Sequence, residues 1–526
     1  MRKTYFILLC LFVSIVAVSC VSAADMNDSG VTYLSDSDGY LDVEDAVSMS
    51  SSDNVDIKRS VVEIPRAYES KILEGCDESN DEIDSFSVET GVTLKNDSSS
   101  VESNDAVRKA PPSSDGIGIE LKNGTFSVDV GVLPKDGTFK YLQSLVDIAK
   151  DGSTLYLHSD YYGGKNSKVT VNKNLTIDGQ GHTIDCKNAD KCFAFYSTKG
   201  NIVLKNLHII NGHNNDLKKG GAIFIGGSAS YTLINCNLTD NWAEDYGGAI
   251  YNDPSKPLVI INCFFGYNNV SDDSGGAIYS KGKLYVENST FDYNIANVDG
   301  GGIFCENDVN VTRCMFKLNR ADFAFTPQSY GGAIRSKETV WIYNSTFDLN
   351  RAEDYGGAVY AKNIYVIQSF DPIQNLTTVS HFYNNFARDN DGGALYAENY
   401  TRLSYAEFEN NTAYEDGGAI CCKNIMLDNC CFKNNTASGA IISNCEGGAI
   451  FAKDDVVLLA NNTFSHNVAR HGGAISADTT HFHEPSNDFY FNYITKDTKS
   501  NSGTCDYKGI HFKIDKDIDG KYDFKF

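Results

Sequence analysis

Positive charge is scarce in this chain of 526 residues. It has 45 lysines and arginines against 69 aspartates and glutamates, which gives a formal net charge of −24. Proteins that bind nucleic acid or anionic membranes usually present a surplus of basic residues to their partner. The acidic balance therefore argues against both kinds of partner.

Long apolar runs are missing beyond the first 23 residues. Two basic residues precede an apolar run from Phe6 to Val18, and small residues follow it. Residues 1–23 are therefore predicted to be a secretory signal peptide. The alternative is a lipidated Cys20, because the residues before it weakly resemble a lipobox. No later run is long enough to span a bilayer, so we expect an exported chain without a transmembrane span.

Aromatic residues are few between residues 24 and 116. This segment is rich in serine and aspartate, with 22 acidic residues against 7 basic ones. A chain of this composition has too little apolar surface to form a packed core. Residues 24–116 are therefore predicted to be a disordered acidic segment, either a propeptide or a spacer.

Helical periodicity is absent from most of the remaining chain, which instead repeats one motif ten times. The motif is Gly-Gly, then Ala or Gly, then an aliphatic residue, and successive copies lie 25 to 36 residues apart. The copies begin at Gly220, Gly247, Gly275, Gly300, Gly331, Gly356, Gly392, Gly417, Gly447 and Gly472. A second motif, Phe-x-x-Asn, precedes most of them, as in Phe291/Asn294. Such self-similarity indicates supersecondary units that stack along one axis.

Each unit contains three short runs in which polar and apolar residues alternate, and this period of two indicates strands. The pattern predicts an all-β fold, a right-handed, single-stranded parallel β-helix (a pectin-lyase-like solenoid) of roughly a dozen coils over residues 153–480. The aliphatic residue after each Gly-Gly and the Phe of each Phe-x-x-Asn should point inward. The Asn should form a ladder in a turn, where it tolerates left-handed backbone angles. The glycines fit a bend without room for a Cβ.

Both ends of the solenoid are predicted from the loss of this repeat. Five apolar residues fall at helical spacing before the first coil: Phe139, Leu142, Leu145, Val146 and Ala149. A short amphipathic helix there would close one end of the tube and cover its strand edges. Residues 117–152 are therefore assigned to an N-terminal cap with a short helix. Residues 481–526 lose the repeat and are assigned to a C-terminal cap or tail.

Thirteen cysteines follow position 20, and their spacing predicts no metal site. Four of them lie two residues before the Phe column and should point inward: Cys236, Cys263, Cys314 and Cys430. Cys236 and Cys263 fall on adjacent coils, close enough either for a stack of small residues or for a disulfide. Cys186 and Cys192 would close a local loop. The doublets Cys421-Cys422 and Cys430-Cys431 point to opposite strand faces and cannot converge on a metal.

With these columns in place, the chain resembles the adhesin-like right-handed parallel β-helix proteins of methanogenic archaea. Residues 175–185, Leu-Thr-Ile-Asp-Gly-Gln-Gly-His-Thr-Ile-Asp, look like their first coils. The pairing of Gly-Gly-Ala-Ile with Phe-x-x-Asn is similar to the repeat of chlamydial polymorphic membrane proteins, which are surface adhesins and autotransporters. The resemblance covers residues 117–480. It implies an archaeal, secreted or cell-surface adhesin-like protein, with surface retention and simple secretion both left open.

An aromatic column on the outside of the tube is the candidate ligand-contact face. It comprises Tyr251, Tyr279, Phe304, Tyr360, Tyr396 and Phe451, which we expect to be exposed rings in register. Such rings would bind glycans or other cell-surface partners, or they would only stabilise the sheet. The sequence does not indicate the oligomeric state.

Acidic residues before the Gly-Gly motifs form a second outer column, with Asp299, Asp391 and Asp416 among its members. A feature of nearly every coil is typical of a solvated turn, with calcium between coils as the minor alternative. No clustered acid and base of the kind that glycosidases need is apparent. We therefore expect no catalytic residue, cofactor or metal, and the alternative function is an exported polysaccharide lyase or glycoside hydrolase on the same fold.

Overall fold

The computed structural model describes thirteen stretches of the chain. They are residues 117–122, 125–130, 137–164, 167–214, 218–253, 256–322, 328–368, 370–371, 376–439, 445–482, 486–495, 504–507 and 510–513. The predicted signal peptide and acidic segment lie outside them. The chain divides into two compact units, residues 1–134 and 135–526, so the assigned cap of residues 117–152 is shared between the units.

The described part of the first unit is an antiparallel hairpin of Ile117–Lys122 and Thr125–Val130. The second unit is a β-solenoid of about 12 turns with one short helix on its N-terminal side, Phe139–Ile148. A small antiparallel pair, Phe370–Asp371 and Leu376–Thr377, lies in the longest insertion. The predicted all-β parallel solenoid is confirmed.

The largest sheet, called here the Gly sheet, contains the residues that follow each Gly-Gly. Its strands are Ser153–Tyr156, Val169–Val171, Leu175–Asp178, Phe193–Phe195, Asn201–Lys205, Ile223–Ile225, Ser230–Ile234, Ile250–Asn252, Leu258–Ile261, Ile278–Ser280, Leu284–Glu287, Ile303–Cys305, Val309–Thr312, Ile334–Ser336, Thr339–Tyr343, Val359–Ile367, Leu395–Ser404, Ile420–Asp428, Ile450–Leu458, Ile475–Phe482, Thr504–Tyr507 and Ile510–Lys513.

The second sheet, called the Phe sheet, contains the Phe of each Phe-x-x-Asn. Its strands are Tyr161–Tyr162, Thr183–Asp185, His208–Ile210, Asn237–Thr239, Phe264–Gly266, Thr290–Asp292, Met315–Lys317, Thr346–Asp348, Ser380–Tyr383, Ala406–Glu409, Cys431–Lys433, Thr463–Ser465 and Asp488–Tyr490. All neighbours in it are parallel and in register.

The third sheet, called the Ala sheet, follows each ladder asparagine and closes the coil. Its two-residue strands are His213–Asn214, Trp242–Ala243, Asn269–Val270, Ile295–Ala296, Arg320–Ala321, Arg351–Ala352, Phe386–Ala387, Thr412–Ala413, Thr436–Ala437, Val468–Ala469 and Tyr493–Ile494. The second residue is alanine in eight of these eleven strands, which suits the narrow corner where the wall turns back towards the Gly sheet.

The predicted phenylalanine column is a continuous stack inside the tube. Nine rings, from Phe265 to Phe489, lie with neighbouring centroids 4.6–4.9 Å apart and planes 3–8° from parallel. This is the spacing of neighbouring strands, so each coil contributes one ring at the same height of the wall. The aliphatic residues after Gly-Gly are buried beside them.

The asparagine ladder is also confirmed and runs from Asn241 to Asn492. Each side-chain Nδ2 donates to the Oδ1 of the next asparagine at 2.9–3.0 Å, and each backbone N–H donates to the same oxygen at 3.0–3.1 Å. Nδ2 also donates to a backbone carbonyl of the preceding coil, as from Asn319 to Phe291. Every polar atom of the buried amide therefore has a partner.

The left-handed backbone angle lies one residue before the position that we predicted. Tyr267, Tyr293 and Leu318 have φ near +55°, whereas the ladder asparagines that follow them do not. The asparagine itself is held by side-chain hydrogen bonds, so its neighbour makes the sharp turn and points to solvent. At the other corner, the first glycine of each pair has φ between +59° and +75°, as at Gly472 and Gly275.

The two ends differ from each other. The helix Phe139–Ile148 packs Phe139, Leu142 and Val146 into the core, as predicted. At the other end, the assignment of residues 481–526 as lacking the repeat is wrong. Phe489 stacks on Phe464 at 4.8 Å, and Asn467 donates to Asn492 at 2.9 Å. The coil that begins at Gly472 therefore continues past residue 480.

Candidate functional site

The outer aromatic column occupies one vertical row of the Gly sheet. Tyr251, Tyr279 and Phe304 are paired in register, and Tyr279 and Phe304 stack with centroids 4.8 Å apart. Tyr360 and Tyr396 form a second stack at 4.9 Å. The rings point away from the tube because they alternate with the inward aliphatic and small residues of the same strands.

Arg335 and Cys421 interrupt this row. Arg335 lies between Phe304 and Tyr360, and its guanidinium carbon is 4.1 Å from the centre of the Tyr360 ring. Cys421 separates Tyr396 from Phe451. The six rings were predicted to form one face, and the structure divides them into a stack of Tyr251, Tyr279 and Phe304, a stack of Tyr360 and Tyr396, and Phe451 beyond Cys421.

The expectation that these rings are exposed is wrong for half of them. Tyr251, Tyr279 and Phe304 are buried, with 3%, 7% and 5% of their surface exposed. Tyr246, from the turn before Gly247, packs its ring edge-on against Tyr279 at 4.6 Å. A layer of turn residues therefore covers the outer row.

The second stack is covered less completely. Tyr330 stacks on Tyr360 at 4.6 Å, and Tyr355 meets Tyr396 edge-on at 4.8 Å. Tyr360, Tyr396 and Phe451 nevertheless stay partly exposed. Of the predicted contact residues, these three retain ring surface that a partner can reach.

The hydroxyl groups of the covered rings are fixed by acids. The Tyr251 hydroxyl donates to Asp253 at 2.9 Å, and the Tyr279 hydroxyl donates to Glu306 at 2.5 Å. Burial, together with the neighbouring carboxylate, raises the pKa of Tyr251 to about 12 and the pKa of Tyr279 further. These tyrosines are neutral hydrogen-bond donors and have no features of a catalytic base.

Three members of the acidic column are bonded to the next coil, whereas the sequence-based interpretation was a solvated turn. Asp299, Asp391 and Asp416 immediately precede their glycines, and each accepts a backbone N–H from the next coil at 2.7–2.9 Å. Burial raises the pKa of Asp299 and Asp391 to about 6, and that of Asp416 to about 7. Asp354 belongs to a neighbouring column, one residue further from its glycines, and is only 8% exposed. These carboxyls link successive turns.

Three acids converge at one corner. The carboxylates of Glu244, Asp245 and Asp272 each place an oxygen within 4.8 Å of the others, and Lys218 forms an ion pair with Glu244. Carboxylates on an open turn are common without a bound ion. Calcium therefore stays a minor sequence-based prediction.

The cysteines follow the predicted columns. Cys186 and Cys192 form a disulfide, and Cys236, Cys263, Cys314 and Cys430 are buried in the wall. Cys236 and Cys263 are free thiols, so the inter-coil disulfide that we considered is not formed. Instead, the Cys236 backbone N–H donates to the Cys263 sulfur at 3.4 Å. Burial raises the pKa of Cys314 to about 12, which leaves its thiol unreactive.

Sequence reasoning missed a second aromatic pair on the outer face of the Gly sheet. Trp341 and Tyr365 are direct strand neighbours, with ring centroids 4.2 Å apart and planes 13° from parallel. Both rings are partly exposed. The outward position of Trp341 could have been predicted, because Trp341 alternates with the inward Val340 and Ile342. It was missed because it lies outside the Gly-Gly motif from which the outer aromatic column was derived.

The repeat of this chain is similar to one that occurs in known proteins. Residues 288–306, 406–423 and 429–453 match the repeat of the Chlamydia polymorphic membrane protein family. Each stretch includes one strand of the Phe sheet and one Gly-Gly motif. The match covers the elements that build the wall.

Full-length relatives agree with that match. The chain is 28% identical over 224 residues to the probable autotransporter YfaL of Escherichia coli (strain K12), which is 37% of this chain and 17% of that protein. It is 28% identical over 220 residues to the probable outer membrane protein PmpD of Chlamydia trachomatis, 38% of this chain and 13% of PmpD.

A third relative is eukaryotic. The metabotropic glutamate receptor-like protein R of Dictyostelium discoideum is 26% identical over 243 residues, 45% of this chain and 14% of that protein. The matched stretch thus spans less than a fifth of each of these three relatives. No solved structure gives a significant match. In the described part of the chain, no helix has the length and apolar character needed to cross a membrane.

Proposed function

We propose that this chain acts at the cell surface or outside the cell, as a non-catalytic adhesin-like protein that binds glycans or other cell-surface partners. Its relatives include proteins named as an autotransporter and as outer membrane proteins. None of these names denotes an enzyme. Export through a signal peptide and an archaeal origin, which the sequence resemblance suggested, are further parts of this proposal.

The observation that carries the proposal is the partly exposed Trp341–Tyr365 pair. The two rings stack face to face, with planes 13° from parallel, and their outer edges form a rigid apolar platform that loses little conformational entropy on binding. Ring edges arranged in this way can pack against the apolar face of a pyranose ring. Tyr360, Tyr396 and Phe451 offer further ring surface on the same sheet.

The test is a glycan array probed with the purified exported chain and with two double variants. Trp341→Ala/Tyr365→Ala removes the platform, and Tyr360→Ala/Tyr396→Ala removes the second stack. Tyr267→Ala is the matched control, because Tyr267 is 56% exposed but lies at another corner of the tube. We expect a loss of binding of about tenfold or more in the first variant and none in the control.

The competing function predicts different products. An exported polysaccharide lyase or hydrolase would release unsaturated or reducing sugars from a polysaccharide panel. Such release, or binding that is unchanged in both double variants while far-ultraviolet circular dichroism shows the fold intact, would overturn the proposal. Bound glycan without product release would support it.

A further inference from the structure

One lysine is fully buried in the wall near the N-terminal end of the solenoid. It is Lys191, and among the residues that the structure describes no other lysine or arginine is buried. Lysine is almost never buried without a partner, because its charge loses its contact with water. The surroundings of Lys191 therefore need an explanation that the repeat does not supply.

Asp190 and Lys191 occupy the place that two glycines occupy in later coils. Phe193 pairs with Ile223, the aliphatic residue of the first Gly-Gly motif. Counting back from this pair, Lys191 takes the place of Gly221, and Asp190 takes that of the glycine before it. The coil that contains Lys191 thus departs from the repeat at both glycine positions.

A side chain at this position is directed towards the Ala sheet. A Cβ at Gly221 would lie 2.3 Å from the carbonyl oxygen of Trp242, which is a residue of that sheet. One coil earlier the equivalent of Trp242 is His213, its direct strand neighbour. Lys191 therefore extends towards the strand that His213 forms with Asn214.

Asn214 is the second departure from the repeat. It is fully buried and occupies the position at which eight of the eleven Ala-sheet strands have alanine. Its strand neighbour in the next coil is Ala243, and each described strand after that also has an apolar residue there. An amide is therefore not needed at this position to close a coil.

The two unusual residues meet, together with Asp190. Lys191 Nζ donates to Asp190 Oδ1 at 2.9 Å and to Asn214 Oδ1 at 3.1 Å. All three side chains are buried. The Asn214 Nδ2 donates to the carbonyl of Lys219, so the amide presents its oxygen to the lysine. An amine, a carboxyl group and the carbonyl group of an amide are thus in contact in a site closed to water.

We propose that Lys191 and Asn214 join in an intramolecular isopeptide bond. The Lys191 ammonium first passes a proton to the Asp190 carboxylate along their hydrogen bond, which removes two charges from a site where charges are costly. The lone pair of Nζ then attacks Asn214 Cγ, and the Cγ–Nδ2 bond breaks as the new bond forms. Of the two protons that Nζ loses, one leaves with Nδ2 as ammonia and the other stays on Asp190. No oxidant or further reactant is needed.

The fold supplies what such a reaction requires. Groups that are held in contact react far faster than the same groups free in solution. A desolvated lysine beside a base is a nucleophile, and the closed site keeps water from competing. The bond closes residues 191–214 into a covalent ring of one coil, next to the Cys186–Cys192 disulfide.

A neighbouring surface cluster has the same three residue types in a different arrangement. Lys187 Nζ lies 2.6 Å from Asp185 Oδ2, and Asn211 Nδ2 donates to Asp185 Oδ1 at 3.0 Å. The carboxylate lies between the lysine and the amide, and the Lys187 side chain is 55% exposed. This cluster should not form a bond, so Asp185→Asn is the matched control.

Peptide mass mapping of the full chain tests the bond. After reduction and alkylation, trypsin cleaves a free Lys191 but not a lysine whose Nζ is in an amide. We expect one species that joins residues 188–199 to residues 206–218 and is lighter than their sum by one molecule of ammonia. Residues 188–191 and 206–218 as separate peptides of unchanged mass, from the folded wild-type chain, would overturn the proposal.

Three variants assign the roles of the side chains. Asn214→Ala restores the alanine of most coils and should give only unlinked peptides. Asp190→Asn keeps the shape of the side chain but cannot accept the proton, so the linked fraction should fall by about tenfold or more. Asp185→Asn should stay linked. With circular dichroism showing all chains folded, a fully linked Asp190→Asn variant or an unlinked Asp185→Asn variant would contradict the proposed reaction.

Discussion

Phe316 and Phe347 lie face to face inside the tube, with ring centroids 4.8 Å apart and planes 3° from parallel, although 31 residues separate them in sequence. The turn between them is longer than in most coils, and the stack is unaffected. The interior register is therefore set by the strands, while extra residues are confined to the turns.

Replacing Phe316 by alanine should lower the free energy of unfolding by about 3–5 kcal/mol. The ring is fully buried between two others, and the rigid wall on both sides limits collapse into the cavity. Urea unfolding followed by circular dichroism measures the change. Met315→Ala, at a 45% exposed neighbour on the same strand, should change the value by less than about 0.5 kcal/mol.

Asn319→Ala should destabilise the chain by about 2–4 kcal/mol, because it leaves several buried groups without partners. The Asn294 N–H and Nδ2 lose their acceptor, and the Phe291 carbonyl loses a donor. Asn310→Ala, on the outer face of the Gly sheet, is the matched control and should have little effect. Equal losses in the two variants would show that the ladder does not contribute as described.

Gly332→Ala adds only one methyl group but should lower the free energy of unfolding strongly. A Cβ at Gly332 would lie 2.2 Å from the carbonyl oxygen of Gly357 on the next coil, so two turns would have to separate. We expect a loss of about 3 kcal/mol or more. Gly181→Ala, where φ is +89° and no atom lies within 4 Å, isolates the backbone strain alone and should lose about 1 kcal/mol.

Stability should fall as the pH rises through the range in which Asp416 titrates. Burial raises the pKa of Asp416 from 3.8 to about 7, so between these values the folded state binds more protons than the unfolded chain. The contribution of the protonated carboxyl is complete below pH 4 and is lost as the pH approaches 7.

Asp416→Asn removes this titration and keeps an oxygen that accepts from the Glu446 N–H. The variant should exceed the wild type in unfolding free energy by a margin that grows above pH 4 and reaches roughly 1–3 kcal/mol at pH 8. Asp455→Asn, at a side chain that is 52% exposed, is the matched surface control. A constant difference at all pH values would refute the assignment.

The interior could be predicted from the sequence because the alternation of residues along each strand and the repeat from coil to coil indicate the same inward positions. The residue that follows Gly-Gly-Ala or Gly-Gly-Gly is aliphatic in every copy, and Phe-x-x-Asn places one ring and one amide per coil, so the sequence predicts both columns. The end of the coil that starts at Gly472 was missed because no further Gly-Gly motif follows Phe489/Asn492, and none precedes Ile510.

The outer surface could not be predicted in the same way. Alternation shows that Tyr279 points away from the tube, but it does not show that Tyr246, 33 residues earlier, folds over it. The same holds for Asp416, whose partner is a backbone N–H of the next coil. Exposure at these positions depends on contacts between turns of different coils, which no single repeat contains.

A double-mutant cycle tests the central claim, that equivalent side chains of successive coils are in direct contact. Phe316→Leu and Phe347→Leu, singly and together, should show a coupling energy of about 0.5–1.5 kcal/mol, as stacked rings do. Phe316→Leu with Phe408→Leu, three coils apart, should be additive. Additive effects in the first cycle, or equal coupling in both, would contradict the aligned stack.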